Sequence, residues 1–316
     1  MGDVSARRAV DFGADVDRLL RQIPRDRFAR VADVARALGD VRASLAVFRY
    51  VREHPDVPGA SRVVAARGSP PPRAGTGTPF FLAFRGGAPL ARLREEQRAL
   101  AAKVSRRNGN RSLRTIGGVD VAYAGDRGFA ALVVLRLPDL AVVEEVRVAH
   151  AVDFPYIPTY LAYREFPLIE AAFRRLREPP DVLLVDGHGQ LHPLRCGIAC
   201  AAGVQLDVPT IGVAKTPLVG STSRHPKVGE AVPVRLGGSV SGYALRTGES
   251  IRPLYVSTGH RVSPRAAVRI VREVCVTRQP EPLRLADSLA REWKEAKEKG
   301  PKKVRNSLPS PEGNGP

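Results

Sequence analysis

From Val16 to Arg52 apolar residues return every three or four positions, broken once at Gly39. That period lines one face of a helix and predicts helices over Val31–Leu38 and Val41–Arg52, joined by a tight turn. Two short helices so joined form either a helix-turn-helix or a small structural bundle. The run "RGSPPPRAGTGTP", Arg67 to Pro79, fits neither a helix nor a strand and reads as a linker. Helical spacing resumes over Leu90–Arg107. Alternation then shortens: "TIGGVDVAYA", "GFAALVVLRL" and "LAVVEEVRVAH" predict three consecutive antiparallel strands. A helix is expected over Tyr160–Arg177, followed by "DVLLVD", a buried strand of the parallel type ending at Asp186. Another helix over "HPLRCGIACAAGV", a strand over "TIGVAK", two more strands and a helix over Pro264–Val274 complete the pattern. The sum is an α/β fold, a mixed sheet flanked by helices and preceded by a small helical domain. From Lys294 the chain is charged and proline-rich, and a disordered basic tail is expected there.

Length and charge extend this picture. At 316 residues two domains are expected. Lysine and arginine number 50 against 32 acidic residues, a net charge of +18 carried mainly by arginine. A surplus of that size suits a polyanionic partner, because clustered cations release counterions from phosphate. The plain alternative is an arginine-rich composition without such a partner. The three cysteines, Cys196, Cys200 and Cys275, are odd in number and lack framework spacing, so free thiols in a reducing interior are expected. Cys196 and Cys200 lie one helical turn apart, but no second pair completes a metal site, and they read as small buried apolar residues. No apolar run approaches the ~18 residues of a membrane span, and the first residues have no signal-peptide core. A soluble, cytoplasmic monomer is expected.

The stretch "FPYIPTYLAYREFP", Phe154 to Pro167, crowds prolines and tyrosines around a short apolar loop that runs into a helix carrying Glu165. Core strands do not tolerate prolines at that density, and a solvent loop has little reason to display Tyr156 and Ile157. Two further acids interrupt apolar runs, Asp120 within the first strand and Asp186 at the end of the fourth. A buried carboxylate needs a compensating cation, either a side chain or a metal ion. If those two strands are neighbours, Asp120 and Asp186 converge, and Glu165 lies one helix away. Three hard oxygen donors suit Mg²⁺ or Mn²⁺, ions that activate water and stabilise the leaving oxygen of an in-line displacement. The alternative is strand-end acids paired with arginines or capping backbone. His188 lies within the sharp turn "DGHG" and His192 three residues after it, both able to orient water or contact phosphate. Lys215 ends "TIGVAK" on the edge where Asp186 emerges if the strands are parallel, suited to a phosphate.

Taken together, "GGVDVAY", "FPYIPTYLAYRE", "DGHGQLHPLRCGIA" and "TIGVAKTPLVG", in that order, resemble the endonuclease V family of deoxyinosine nucleases, over roughly residues 89–293. The resemblance implies an RNase H-like fold and a nick at the second phosphodiester bond 3′ to deoxyinosine or another deaminated base. It places Asp120, Glu165 and Asp186 on the metal-binding catalytic acids, Lys215 near the cleaved strand and His192 on the motif histidine. Asp287 falls on a further acid near the metals. It also implies that Pro155, Tyr156, Ile157 and Pro158 form a wedge that pries bases apart. RNA containing inosine is a second substrate for some members, and a non-catalytic lesion sensor is the other alternative.

The segment before the linker is similar to the DNA-binding half of alkylguanine-DNA alkyltransferases. Where that family reads Pro-Cys-His-Arg-Val, this chain has Gly59, Ala60, Ser61, Arg62 and Val63, so the nucleophile is missing. The resemblance implies a non-catalytic, helix-turn-helix DNA-binding module with Arg42 entering the base stack in place of a flipped base. The expected division is 1–72 for this module, 73–88 for a linker, 89–293 for the nuclease and 294–316 for the tail.

Overall fold

The protein is described here by a computed structural model covering residues 10–65, 80–109, 112–249 and 252–298. Asp11 caps the first helix by accepting a hydrogen bond from the Ala14 backbone N–H at 2.9 Å. Helix α1 (Phe12–Leu20) turns Phe12, Val16, Leu19 and Leu20 inward. Helices α2 (Val31–Ala37) and α3 (Ser44–Glu53) follow, joined through Gly39 and a one-turn helix over Val41–Ala43. Gly39 sits at φ +104°, and a Cβ there would lie 2.8 Å from the Ala91 backbone nitrogen, so the turn requires glycine. Strands β1 (Ala29–Arg30) and β2 (Val63–Val64) pair in parallel beside these helices. Helix α4 (Pro89–Lys103) opens with proline at its first position and ends earlier than the expected Arg107.

The expected meander is present as β3 (Thr115–Ala124), β4 (Arg127–Arg136) and β5 (Val142–Ala151). Helix α5 (Leu161–Phe173) crosses to β6 (Val182–Asp186), which pairs with β3 in parallel. Helix α6 (Ile198–Leu206) crosses to β7 (Thr210–Ala214), parallel to β6. Strands β8 (Ser221–Thr222), β9 (Ala231–Leu236), β10 (Ser239–Leu245) and β11 (Leu254–His260) extend the sheet to the order β5-β4-β3-β6-β7-β11-β10-β9-β8. Helices α7 (Pro264–Glu273) and α8 (Glu281–Glu298) cover one face and α5 with α6 the other. Along β4, Ala131, Val133 and Leu135 enter the first core, and Ala130, Leu132 and Val134 the second. Burial on both faces is why these strands read as continuous apolar runs.

Further expectations change. Four strands rather than two follow β7, because β9 and β10 form a hairpin that β8 extends at the edge, and a second helix, α8, follows α7. Residues 192–197 are not helical, and α6 begins only at Ile198. Gly197 N–H donates to the Gly189 carbonyl at 3.0 Å, closing a loop where a helix turn was expected. Lys294–Glu298 belong to α8 rather than to a disordered tail, and 299–316 lie outside the described residues. Of the expected linker 73–88, residues 73–79 also lie outside, whereas 80–88 are tied to the N-terminal unit. There, Phe81 N–H donates to the Phe28 carbonyl at 2.7 Å, and Gln22 bonds the Arg85 backbone in both directions.

The N-terminal unit is not a tethered bead. Its core, built on Phe12, Leu19, Val34 and Val47, also takes in Leu90 and Leu93 of α4 and Phe154, Ile157 and Tyr160 of the proline-rich loop. Among the described residues no helix is long and apolar enough to cross a membrane.

Candidate active site

The parallel register of β3 and β6 pairs Val119 with Val185, so the next residue on each strand is an acid, Asp120 and Asp186. β7 runs parallel on the far side of β6, and Lys215 emerges one residue past its end. Its ammonium donates to Asp186 Oδ2 at 2.8 Å. Glu165, in the second turn of α5, accepts from the Tyr123 hydroxyl at 3.0 Å. These three acids and Lys215 line one cavity of about 380 Å³, together with His188, His192, Gln97, Thr159 and Tyr156. The turn after Asp186 is held close to β11: Gly189 N–H donates to Ser257 Oγ at 2.9 Å. A Cβ on Gly189 would fall 2.0 Å from the Thr258 carbonyl oxygen, so "DGHG" is glycine-rich for backbone approach.

The electrostatics are those of crowded anions. Burial, then the Asp186 charge and a contact with Asp287, push the Asp120 carboxyl up to about 7. Burial pushes Glu165 up to about 8, against the Tyr123 hydroxyl bond, with Asp120 and Asp186 adding to the rise. Lys215 is pulled down by burial, but Asp186 outweighs that and holds it above the ordinary ammonium range. Asp287 is gripped by Arg291 on α8. Each carboxylate is thus engaged by a protein donor or by a second carboxyl, and among the described residues no trio of His, Cys, Asp or Glu side chains is arranged to hold an ion as it stands. These acids are nevertheless pushed toward neutrality by burial and by one another, and their all-oxygen donor set fits a hard divalent ion.

Stability should follow from this. Unfolded, both acids titrate near 4, so between about pH 4 and 8 the folded chain binds more protons and loses stability as pH rises. In chelator, the melting temperature is expected to fall from about pH 5 to pH 8, and Mg²⁺ is expected to flatten that slope. A chelated protein with a flat profile would mean that neither burial nor mutual charge raises these two acids.

The remaining expected residues are placed as follows. Tyr156 is 53% exposed at the cavity mouth, between Pro155 and Pro158. Ile157 is not part of that exposed surface: at 1% exposure it is buried with Phe154 and Tyr160 in the N-terminal core. Arg42 does not project outward; it donates to Thr159 Oγ1 at 2.8 Å and pairs with Asp40. His192 is 2% exposed with both ring nitrogens in use. Leu194 N–H donates to its Nδ1, and its Nε2–H donates to the Thr159 carbonyl at 3.0 Å. Burial holds it and His188 down near 4.

Sequence reasoning passed over Gln97 and Thr159. Gln97, 2% exposed, donates to the Thr159 carbonyl at 2.9 Å. It stands on the apolar face of α4, at i+7 from Leu90 and i+4 from Leu93, where a polar residue was a readable signal. Thr159 has φ +74°, a conformation that costs a residue with a branched Cβ about 1–2 kcal/mol.

Asp120 within β3 and Asp186 at the end of the adjacent parallel strand β6 open on one cavity, an arrangement that suits a metal-dependent nuclease. Residues 98–288 match the family model for endonuclease V. The endonuclease V of Roseiflexus sp. (strain RS-1) is 45% identical over 204 residues, spanning 64% of this chain and 91% of that protein. Human endonuclease V matches at 37% identity with a TM-score of 0.61, over 67% of this chain and 100% of the human one. A Ciona intestinalis endonuclease V, solved with a 24-mer DNA containing an inosine followed by a ribo-adenosine, matches at 28% identity and TM-score 0.60, over 65% and 98%. The chain belongs to the endonuclease V family, whose members are metal-dependent nucleases.

Proposed function

We propose that this chain is a deaminated-base repair endonuclease, acting as a cytoplasmic monomer, that nicks DNA at the second phosphodiester bond 3′ to deoxyinosine. Asp120, Glu165 and Asp186 would hold Mg²⁺, with Mn²⁺ as a substitute and Asp287 beside them. The observation carrying this reading is the convergence of those acids on one cavity with Lys215 and the exposed Tyr156 ring. When bound, such a cation supplies positive charge to the phosphate and acidifies a water. The chain's part is positional. The parallel pairing of β3 and β6 fixes Asp120 and Asp186, and Tyr123 orients Glu165. The Lys215 ammonium lies where it can turn from Asp186 to a phosphate oxygen as a point charge.

Pro155 and Pro158 stiffen the loop, and Tyr156 offers its ring to the step left by an extruded base. Stacking of that kind is worth ~1–3 kcal/mol per base, so Tyr156→Ala is expected to lower kcat/KM on a deoxyinosine duplex about tenfold. Single-stranded substrate, with no step to open, should suffer less. Equal losses on both would remove the wedge role.

The α2–turn–α3 segment is proposed as an alkyltransferase-like surface that holds DNA. Leu45, Arg49 and Arg52 line the exposed side of α3 at i, i+4 and i+7. With all three cysteines beyond residue 195, it lacks a nucleophile for alkyl transfer. The deciding experiment offers matched DNA and RNA strands carrying one inosine, with Mg²⁺ or chelator, and maps the product ends. A single metal-dependent nick in DNA, leaving 3′-hydroxyl and 5′-phosphate ends, is expected. Preferential cutting of RNA would make the chain an inosine ribonuclease, and tight binding without cutting a lesion sensor.

A further inference from the structure

Three elements from different parts of the chain converge on Thr159, the residue that follows the Tyr156 loop. Arg42 of the N-terminal turn donates to its hydroxyl at 2.8 Å. Gln97 of α4 and His192 of the post-β6 loop both donate to its carbonyl, at 2.9 and 3.0 Å. Its neighbour Tyr160, fully buried, donates to Asp40 at 2.8 Å. Asp40 in turn accepts from Arg94 at 2.9 Å and from the Arg42 backbone N–H at 3.0 Å. Asp40 is itself buried. A left-handed threonine persists only where its surroundings over-determine it, and here two of the determinants come from the N-terminal unit. Gln97, Thr159 and His192 also line the cavity that contains the acids.

We propose that Asp40 and Arg42 are positioning residues for the Tyr156 loop: by clamping Thr159 and Tyr160, they set where the Tyr156 ring stands over the carboxylate cavity. The N-terminal unit then acts through the shape of the nuclease site as well as through any DNA it holds. This rests on the reading of the Tyr156 loop as the element that opens the duplex.

The test uses the full chain with Arg42→Ala, Arg42→Lys, Thr159→Val and the Arg42→Ala/Thr159→Val double variant. One readout is single-turnover nicking of deoxyinosine in a duplex and in a single strand. The other is hydrogen exchange of the amides of residues 156–161 in the absence of DNA. Arg42→Ala is expected to slow duplex nicking about tenfold while single-strand nicking stays within about twofold. Exchange over 156–161 should rise about tenfold with β3 unchanged. Arg42→Lys, which keeps a donor, should recover most of both. Adding Arg42→Ala to Thr159→Val should cost nothing further, because the two act through one bond. Equal losses on duplex and single strand, additive variants, or unchanged exchange would overturn the proposal and make Arg42 a direct DNA contact. If the unaltered protein nicked neither deoxyinosine substrate, the proposed function would fall, while the exchange data would still decide the clamp.

Discussion

Asp186→Ala is expected to slow single-turnover nicking of a deoxyinosine duplex by about a thousandfold, the effect of losing ~4 kcal/mol of transition-state stabilisation. Asp186 acts on both of the other acids and on Lys215. It raises the proton affinity of both Asp120 and Glu165, and it holds the Lys215 ammonium. Its removal takes away one of the three proposed oxygen ligands and leaves Lys215 without its partner. A cation at such a site supplies several kcal/mol of charge stabilisation, so losing its anchor should cost most of that. The fold should survive, because Asp186 ends its strand with its side chain 24% exposed. In chelator the variant should even resist alkaline pH better, since a like charge beside Asp120 has gone. Activity within about tenfold of the unaltered protein would mean that Asp186 is not an anchor, and the three-acid reading would fail.

The carboxylate site was legible because acids that interrupt or end apolar strands leave a mark on a hydrophobic pattern. Asp120, Asp186 and Lys215 each stand at such a break, and only the parallel pairing of β3, β6 and β7 had to be added to bring them together. The loop was only half legible. Its prolines and Tyr156 followed from composition, but the opposite fates of Tyr156 and Ile157 depend on which neighbour covers the loop from below. That neighbour lies more than a hundred residues earlier in the chain: Asp40 reaches Tyr160, and Arg42 reaches Thr159. Period and propensity report on segments, and contacts at that separation leave no trace in them. The same limit applies to α6, whose start was misplaced: Pro193 is compatible with a first helical turn, but Gly197 N–H is committed to the Gly189 carbonyl.

Removal of residues 1–88 is expected to leave a folded fragment that melts at least about 10 °C lower, binds a hydrophobic dye and nicks duplex substrate poorly. The reason is the shared core. Leu90, Leu93, Phe154, Ile157 and Tyr160 are all buried against α1–α3 and would face water. Burial of such side chains is worth about 1.5–3 kcal/mol each, an upper bound on the order of 10 kcal/mol in sum. Part of this is recovered because the loop can collapse onto α4, and the sheet with its own two cores remains intact. The matched segment makes up 91% of the Roseiflexus relative, so a sheet of this kind stands without an N-terminal unit. The loss should therefore be graded and centred on the loop. Replacing Phe154 and Ile157 by serine in the fragment should lower dye binding and restore solubility without restoring duplex nicking, because Thr159 would still lack Arg42. A fragment that melts with the full chain and nicks duplex at the same rate would mean that the N-terminal unit neither covers this face nor shapes the site.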